Sequence, residues 1–474
     1  MADIAYVCLS DMHFGEEDSL LTNLRLGSSN IDTSQPSAVL KQLVKCLKFL
    51  ISRNQGNKKP KLILNGDILE LALCSTKEAA MAFERFIELT MKKDKELFDS
   101  KIIYIPGNHD HHLWETAREK QYINHLGKSK KKQLDAPWQV TNMFVAKGRG
   151  AVLSNFLTTL VQRRFPEVVI EIAYPNLGLL NQDASRCIVF HHGHFLDPLY
   201  RLMTTLRTLA FPKRREPSTI WDIEAENFAW IDFFWSTLGR SGEAGKAIER
   251  VYEKMYDPKQ FKKFLHDFID NLDRKYDLPS IDWVTNRILK GMATAFVKKQ
   301  AKVLERKDVK EPLSSKIEFG LRWYIDGILR EQIRGERDRK EPPDVTFVFG
   351  HTHKPFSNTL EKKESRKAIN AYNTGGWVVE SVKPQPLHGG TVLLADKALN
   401  CTHIRLHNEQ GNPSNYPVKV ELSPRDSKRV NPLFNQISTL VNPAAEPWST
   451  FSSLVSEETK VRRKNLEHRI QARE

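Results

Sequence analysis

Five times along the chain a short apolar run stops and gives way at once to side chains that bind metals or move protons. Ile4–Ser10 leads into Asp11-Met12-His13, and Leu62–Asn65 into Gly66-Asp67. Ile102–Ile105 leads, through Pro106, into Gly107-Asn108-His109-Asp110. Ile188–Phe190 leads into His191-His192-Gly193-His194, and Val345–Phe349 into Gly350-His351-Thr352-His353. Short apolar runs bounded by turn residues predict buried strands. Helix-period patterns over Val39–Ile51 and Glu78–Leu97 fall between them. Strand–helix alternation predicts an α/β fold around a central sheet, and polar residues just past a strand's carboxyl end form the ligand crevice of such a sheet.

The pattern changes between residues 199 and 340. Phe261, Phe264, Leu265, Phe268, Ile269 and Leu272 follow helical spacing, as do Ile317, Leu321, Tyr324, Ile325, Ile328 and Leu329. A helical insertion is expected there, splitting a core of residues 1–198 and 341–422. Strands are expected again at Val345–Phe349, Ala368–Asn373, Trp377–Val382, Thr391–Ala395 and Cys401–Leu406, after an earlier one at Val168–Ala173. Residues 423–474 turn polar and carry Pro424, Pro432, Pro443 and Pro447. This reads as a peripheral, partly disordered tail ending in a short helix.

Composition bounds the partners more than the fold. A net charge of +14 favours anionic ones: nucleic acid, phosphorylated metabolites or an anionic membrane surface. The only clear lysine run, Lys130-Lys131-Lys132, is short and has few aromatics near it, which gives nucleic-acid binding little support without excluding it. Five scattered cysteines, odd in number and never in CxxC spacing, argue for reduced thiols. With no secretory pattern at the first residues and no apolar run long enough to span a bilayer, a cytoplasmic protein is expected. Trp221, Phe228, Trp230, Ile231, Phe233, Phe234, Trp235 and Leu238, preceded by Lys213-Arg214-Arg215, allow two readings. They either form the insertion's own core or pack it onto the sandwich, or else lie against the inner face of a membrane as a peripheral contact.

Mixed carboxylate, carboxamide and imidazole donors suit Mn, Fe, Zn or Co, whereas an all-oxygen set would suit Mg or Ca. A carboxylate shared by two ions holds them about 3.5–4 Å apart, the separation that clamps an in-line displacement at phosphorus. Any one of the five motifs occurs by chance. Five in this order, each behind its own strand, do not.

The series DxH, GD, GNHD, a lone His and GHxH resembles the calcineurin-like metallophosphoesterase superfamily. The resemblance covers about residues 1–198 and 341–406. It implies a four-layer α/β/β/α sandwich and a hydrolase with two divalent metal ions, Mn foremost, with Fe or Zn as alternatives. By motif position, Asp11, His13, Asp67 and His353 would bind the first ion. Asp67 would bridge to the second, which also takes Asn108, His192 and His351. A hydroxide bridging the ions would attack phosphorus. His109 matches the family's catalytic imidazole, with Asp110 orienting it. His192 is the softer assignment, since His191 and His194 flank it. Glu70, His111 and His112 are read as supporting residues.

Asp67 is followed by Ile68-Leu69-Glu70 and Gly107 is preceded by Pro106, which departs from the Ser/Thr protein phosphatase pattern. Together with Lys354-Pro355 and Asn373-Thr374-Gly375-Gly376-Trp377, the motifs are similar to those of UDP-2,3-diacylglucosamine diphosphatases. The expected substrate is an anionic phosphodiester or pyrophosphate, on a nucleotide-sugar or a lipid carrier. A nuclease or cyclic-nucleotide phosphodiesterase is the alternative. A non-catalytic scaffold fits least, because every expected metal position and His109 are filled.

Overall fold

The computed structural model describes residues 2–130, 133–134, 136–144, 151–196, 198–201, 203–204, 207–208, 213, 215–232, 262–263, 266, 290–291, 294, 311–361, 368–409 and 416–471. Two sheets face each other. The first is ordered β13-β12-β11-β1-β2-β3-β5-β4, with β1 Tyr6–Leu9, β2 Lys61–Asn65, β3 Lys101–Ile105, β4 Val152–Leu153, β5 Val169–Ile172, β11 Gly389–Ala395, β12 Cys401–Asn408 and β13 Lys419–Glu421. The second is ordered β6-β7-β8-β10-β9, with β6 Asn176–Leu180, β7 Arg186–His191, β8 Asp344–Phe349, β9 Phe356–Leu360 and β10 Ile369–Asn373.

Side-chain alternation builds the layers. In β1, β2 and β3, Val7, Leu9, Leu62, Leu64, Ile102 and Tyr104 face the helices of the first sheet. Cys8, Ile63, Ile103 and Ile105 face inward, onto Ile188, Phe190 and Val348 of the second sheet. Cys187, Val189, Phe347 and Phe349 face outward again, into a third apolar cluster. A period of two on both sheets therefore gives helix, sheet, sheet, helix: the expected sandwich.

The parallel strands β1, β2 and β3 are joined by α1 (Ala38–Ile51) and α2 (Thr76–Thr90). Ser37 caps α1 by accepting from the Leu40 N–H at 3.0 Å, and Ser75 with Glu78 forms a capping box on α2. α2 ends at Thr90, short of the expected Leu97. Lys92 and Lys93 lead into Asp94 at φ 63°, a left-handed turn that no helix continues through. α3 (His112–Lys128) and α4 (Asn155–Gln162) complete the first half.

Two other expectations need correction. Trp377–Val382 forms no strand. Gly375, at φ 67°, turns the chain out of β10, and the segment pairs instead with the loop after β1: Trp377 donates to the Asp11 carbonyl at 3.1 Å and Val379 to the Asp18 carbonyl at 3.1 Å. The described flanks of the expected insertion are helical and pack onto the second sheet. They are α5 (Ile220–Ile231), α6 (Ser315–Trp323), a π-helical segment Tyr324–Leu329 and α7 (Arg330–Glu336), and Ile223, Leu321, Tyr324, Ile328 and Leu329 join its outer cluster. The periodic positions Phe261, Phe264, Leu265, Phe268, Ile269 and Leu272, and also Arg214, Phe233, Phe234, Trp235 and Leu238, lie outside the described residues. Phe228 packs inward, with its ring under the Arg118 guanidinium at 4.4 Å, while Trp221 is 38 % exposed.

The second correction is the C-terminal stretch, which is neither peripheral nor disordered over its described residues. α8 (Pro432–Leu440) and the 24-residue α9 (Trp448–Gln471) pack on the first sheet's helical side, with Trp448, Phe451 and Val455 buried in its main core. Few apolar residues at wide spacing suffice because the rest of that long helix lies in solvent. All five cysteines are free thiols. Among the described residues no helix is long and apolar enough to cross a membrane.

Candidate metal centre

The centre forms where the carboxyl ends of β1, β2 and β3 meet those of β7 and β8. At the first residues past these strands the backbone turns sharply. Asp11, His13, Asp67, His351 and His353 all have φ between 44° and 66°, the left-handed region that costs a non-glycine residue about 1–3 kcal/mol. Five such residues in one crevice persist because their surroundings overdetermine them. The Asp11 and His13 N–H groups donate to the carbonyls of Gly66 and Asp67 at 2.9 and 3.0 Å, locking the first turn to the second. The His351 N–H donates to Asp11 Oδ1 at 2.7 Å, locking the fifth turn to the first.

Glycine is required beside these turns for space. A Cβ on Gly350 would stand 2.0 Å from Asp11 Oδ2, and one on Gly66, itself at φ 85°, 2.3 Å from His192 Nδ1. The strand-end glycines thus admit the functional side chains of neighbouring strands.

The side chains gather into three groups. Asp11, His13 and His353 bring ligand atoms within 4.8 Å of one another, and so do Asp67, His192 and His351, and His13, Glu70 and His109. His13 Nε2 stands 3.8 Å from Asp67 Oδ2, which relates the first group to the second. His192 Nε2 stands 3.0 Å from both Asp67 Oδ2 and Asn108 Oδ1. All seven residues expected as ligands are brought together.

Three imidazoles share one arrangement. Each engages an oxygen through Nδ1, which leaves the Nε2 lone pair to face the centre. His13 Nδ1 lies 2.8 Å from Glu70 Oε2, His192 Nδ1 lies 3.3 Å from the Asn65 carbonyl, and His353 Nδ1 bonds Glu380. His353 Nε2 then stands 3.4 Å from Asp11 Oδ1. An oxygen on one ring nitrogen and a crowded, acid-rich space at the other is the arrangement of a metal-binding histidine. The donor set fits divalent cations on a second count. Asp11 Oδ2 and His13 Nε2 are buried without a hydrogen-bond partner among the described residues, a costly state unless something positive lies between them.

The structure separates the histidines left open by sequence. His191 ends β7 and turns to the opposite face, its ring 5.0 Å from those of Phe195 and Tyr324. Burial holds it well below the ordinary imidazole value, hence neutral. His194 is buried beside it and stacks on Tyr174. His111 is bonded through Nε2 to the Tyr174 hydroxyl at 2.9 Å, and Tyr174 donates in turn to Glu224 of α5 at 2.7 Å.

His109 belongs to the third group, with His13 and Glu70. Its N–H donates to Asp67 Oδ1 at 2.8 Å, and its Nδ1 lies 2.7 Å from Glu70 Oε2. Burial opposes its charged form, but the charges of Glu70 and then Asp67 outweigh it and hold this imidazole above its ordinary value. The expectation that Asp110 orients His109 is therefore corrected. The Asp110 carboxylate accepts from the N–H groups of Gly107 (2.7 Å), Ile68 (2.8 Å) and Leu69 (3.2 Å), so it ties the second turn to the third. Burial, and then the charge of Asp67, push it up to about 6. Glu70 takes the orienting place, held by the N–H groups of Ala72 and Leu73 at 2.8 Å each.

Sequence reasoning missed Glu380 altogether and ranked Glu70 only as support. The nearest signal for Glu380 is its position soon after Gly375-Gly376-Trp377. Asn373, which opens that motif, donates to the Gly350 carbonyl at 2.9 Å and to the Thr352 hydroxyl at 3.0 Å, bracing the fifth turn.

Residues 4–221 match the family model of the calcineurin-like phosphoesterases, a span that holds four of the five strand-end motifs. No curated protein matches the chain. The match assigns residues 4–221 to a calcineurin-like phosphoesterase domain, which indicates a phosphoesterase hydrolase, and the buried Asp and His groups are its candidate metal ligands.

Proposed function

We propose that this centre holds two divalent cations, most readily Mn, and hydrolyses a phosphodiester or pyrophosphate bond. Asp11, His13 and His353 would hold the first ion and Asn108, His192 and His351 the second, with Asp67 shared between them. The observation that carries the reading is the common set of the three imidazoles, each anchored through Nδ1 with Nε2 turned to a carboxylate of the centre. When bound, two such ions supply Lewis acidity toward phosphoryl oxygens and lower the pKa of water at the site.

The chain's own residues supply the rest. His109 receives its orientation from Glu70 at Nδ1 and from the turn that fixes its N–H on Asp67. Held so, it stabilises the charge that develops on the phosphoryl group and hands a proton from Nε2 to the leaving oxygen. Asp110 keeps the second and third turns in register, which fixes His109 relative to Asn108.

For the substrate, the motif likeness to UDP-2,3-diacylglucosamine diphosphatases and the net charge of +14 favour an anionic pyrophosphate on a nucleotide-sugar or lipid carrier. The test is hydrolysis of bis-p-nitrophenyl phosphate with added Mn, followed by a screen of nucleotide-sugars, glycolipid pyrophosphates, cyclic nucleotides and single-stranded DNA. His109→Ala is expected to lower kcat about 100- to 10,000-fold while leaving bound metal unchanged. Full activity in that variant would remove His109 from the mechanism. Preferential cleavage of DNA or cyclic nucleotides would replace the pyrophosphate reading.

A further inference from the structure

The C-terminal helix α9 reaches the back of one half of the centre. Arg462, only 1 % exposed, donates from Nη2 to the carbonyls of Thr22 at 2.7 Å and Ser19 at 3.3 Å. These two residues hold the loop that follows β1. The Ser19 hydroxyl donates to the Met12 carbonyl at 2.7 Å, and the Gly15 N–H donates to the Thr22 hydroxyl at 3.0 Å. Met12 stands between Asp11 and His13, both in left-handed backbone.

The next residue of the helix holds a second segment. Arg463 donates to the Ser381 carbonyl at 3.4 Å and pairs with Glu409 at 2.7 Å. Ser381 follows Glu380, the carboxylate on His353 Nδ1. Further along, Arg469 pairs with Glu17 at 2.8 Å and with Asp18, on the same loop that Arg462 holds. Among the described residues, the bonds and ion pairs of Arg462 and Arg463 reach none of the segments carrying Asn108, His192 and His351.

We propose that α9 is a brace for one metal position, with Arg462 and Arg463 as positioning residues that set the affinity for the ion held by Asp11, His13 and His353. The inference rests on the dinuclear reading given above. Its physical basis is strain. Asp11 and His13 occupy strained left-handed backbone, and they stay there only while neighbouring bonds outweigh that cost. Arg462 fixes the loop whose hydroxyls clasp the Met12–His13 and Phe14–Gly15 peptides. Arg463 fixes the carbonyl of the residue after Glu380, and so the orientation of the His353 ring. Loosening either leaves the ligand atoms present but poorly aimed, and loss of an outer partner of this kind lowers metal affinity about 10- to 100-fold.

The test is Mn binding to the full chain by equilibrium dialysis with metal quantification. The variants are Arg462→Gln, Arg463→Gln and Ser19→Ala, with Arg462→Lys as the conservative change. The wild-type chain is expected to bind two ions. Arg462→Gln and Ser19→Ala should retain one at wild-type affinity and bind the other about 10- to 100-fold more weakly, and Arg463→Gln should weaken the same one. Lysine at 462 should recover part of the loss. Should Arg462→Gln fail to fold, Ser19→Ala and Arg463→Gln decide the matter, since the first removes no charge and Arg463 is less deeply buried than Arg462. Folded variants that bind both ions like wild type would overturn the brace, as would an equal weakening of both. A wild-type chain binding fewer than two ions would overturn the dinuclear reading before any variant is made, and the brace with it.

Discussion

Glu70 and Asp110 are buried carboxylates flanking the same turn, and their surroundings give them different work. Asp110 meets only backbone donors and a tyrosine, whereas one oxygen of Glu70 meets two imidazoles. Their substitutions should therefore separate. Asp110→Ala leaves three buried N–H groups without their acceptor and should cost about 3 kcal/mol or more, read as a lower urea midpoint. Glu70→Gln should keep the fold near wild-type stability yet weaken metal binding about tenfold or more and lower kcat as well. A stable Asp110→Ala chain with lost activity would return the orienting role to Asp110. The ligand residues themselves were legible because each sits in a short motif behind a strand. Glu70 was legible only as a supporting carboxylate and Glu380 not at all, because nothing local says which imidazole a distant carboxylate will meet.

At the scale of the element, the strands were legible wherever apolar residues ran together, and least so where pairing replaced burial. β6 and β9 mix polar and apolar residues, and only the neighbouring strands β7 and β10 hold them in the sheet. Trp377–Val382 shows the reverse, an apolar run that pairs with a loop. β12 adds a titration. His403 is buried between the hydroxyls of Ser357, at 2.9 Å from Nδ1, and Thr391. Burial, and then the charge of Arg405, hold it down to about 3. An exposed imidazole in the unfolded chain titrates near 6.5. Between about 6.5 and 3 the unfolded state thus binds the extra proton, so stability rises with pH and is lost as pH falls through that window. The slope from this one group is on the order of 1 kcal/mol per pH unit. Urea unfolding from pH 6.5 to 5 should show that slope, and His403→Gln should flatten it. An unchanged slope in the variant would show that His403 does not set it.

For the whole molecule, the two sheets share one inner core and the centre joins their carboxyl ends, so ion binding ties both halves together. Each ion held at about 100 times its Kd should add about 2.7 kcal/mol to stability. Calorimetry in Mn against excess EDTA should therefore show a clear rise in Tm, and no rise would argue against ions seated between the sheets. The sequence by itself determined the strand ends, the donor chemistry and the class of reaction, because each depends on residues close together in the chain. The tertiary structure decided the rest: that His192 and not His191 faces the centre, that Glu70 and not Asp110 meets His109, and that a polar-looking C-terminal helix braces one half of the site. These depend on which face of a strand or helix is turned inward and on contacts between segments as much as 451 residues apart. Packing sets such contacts, and no local pattern encodes them.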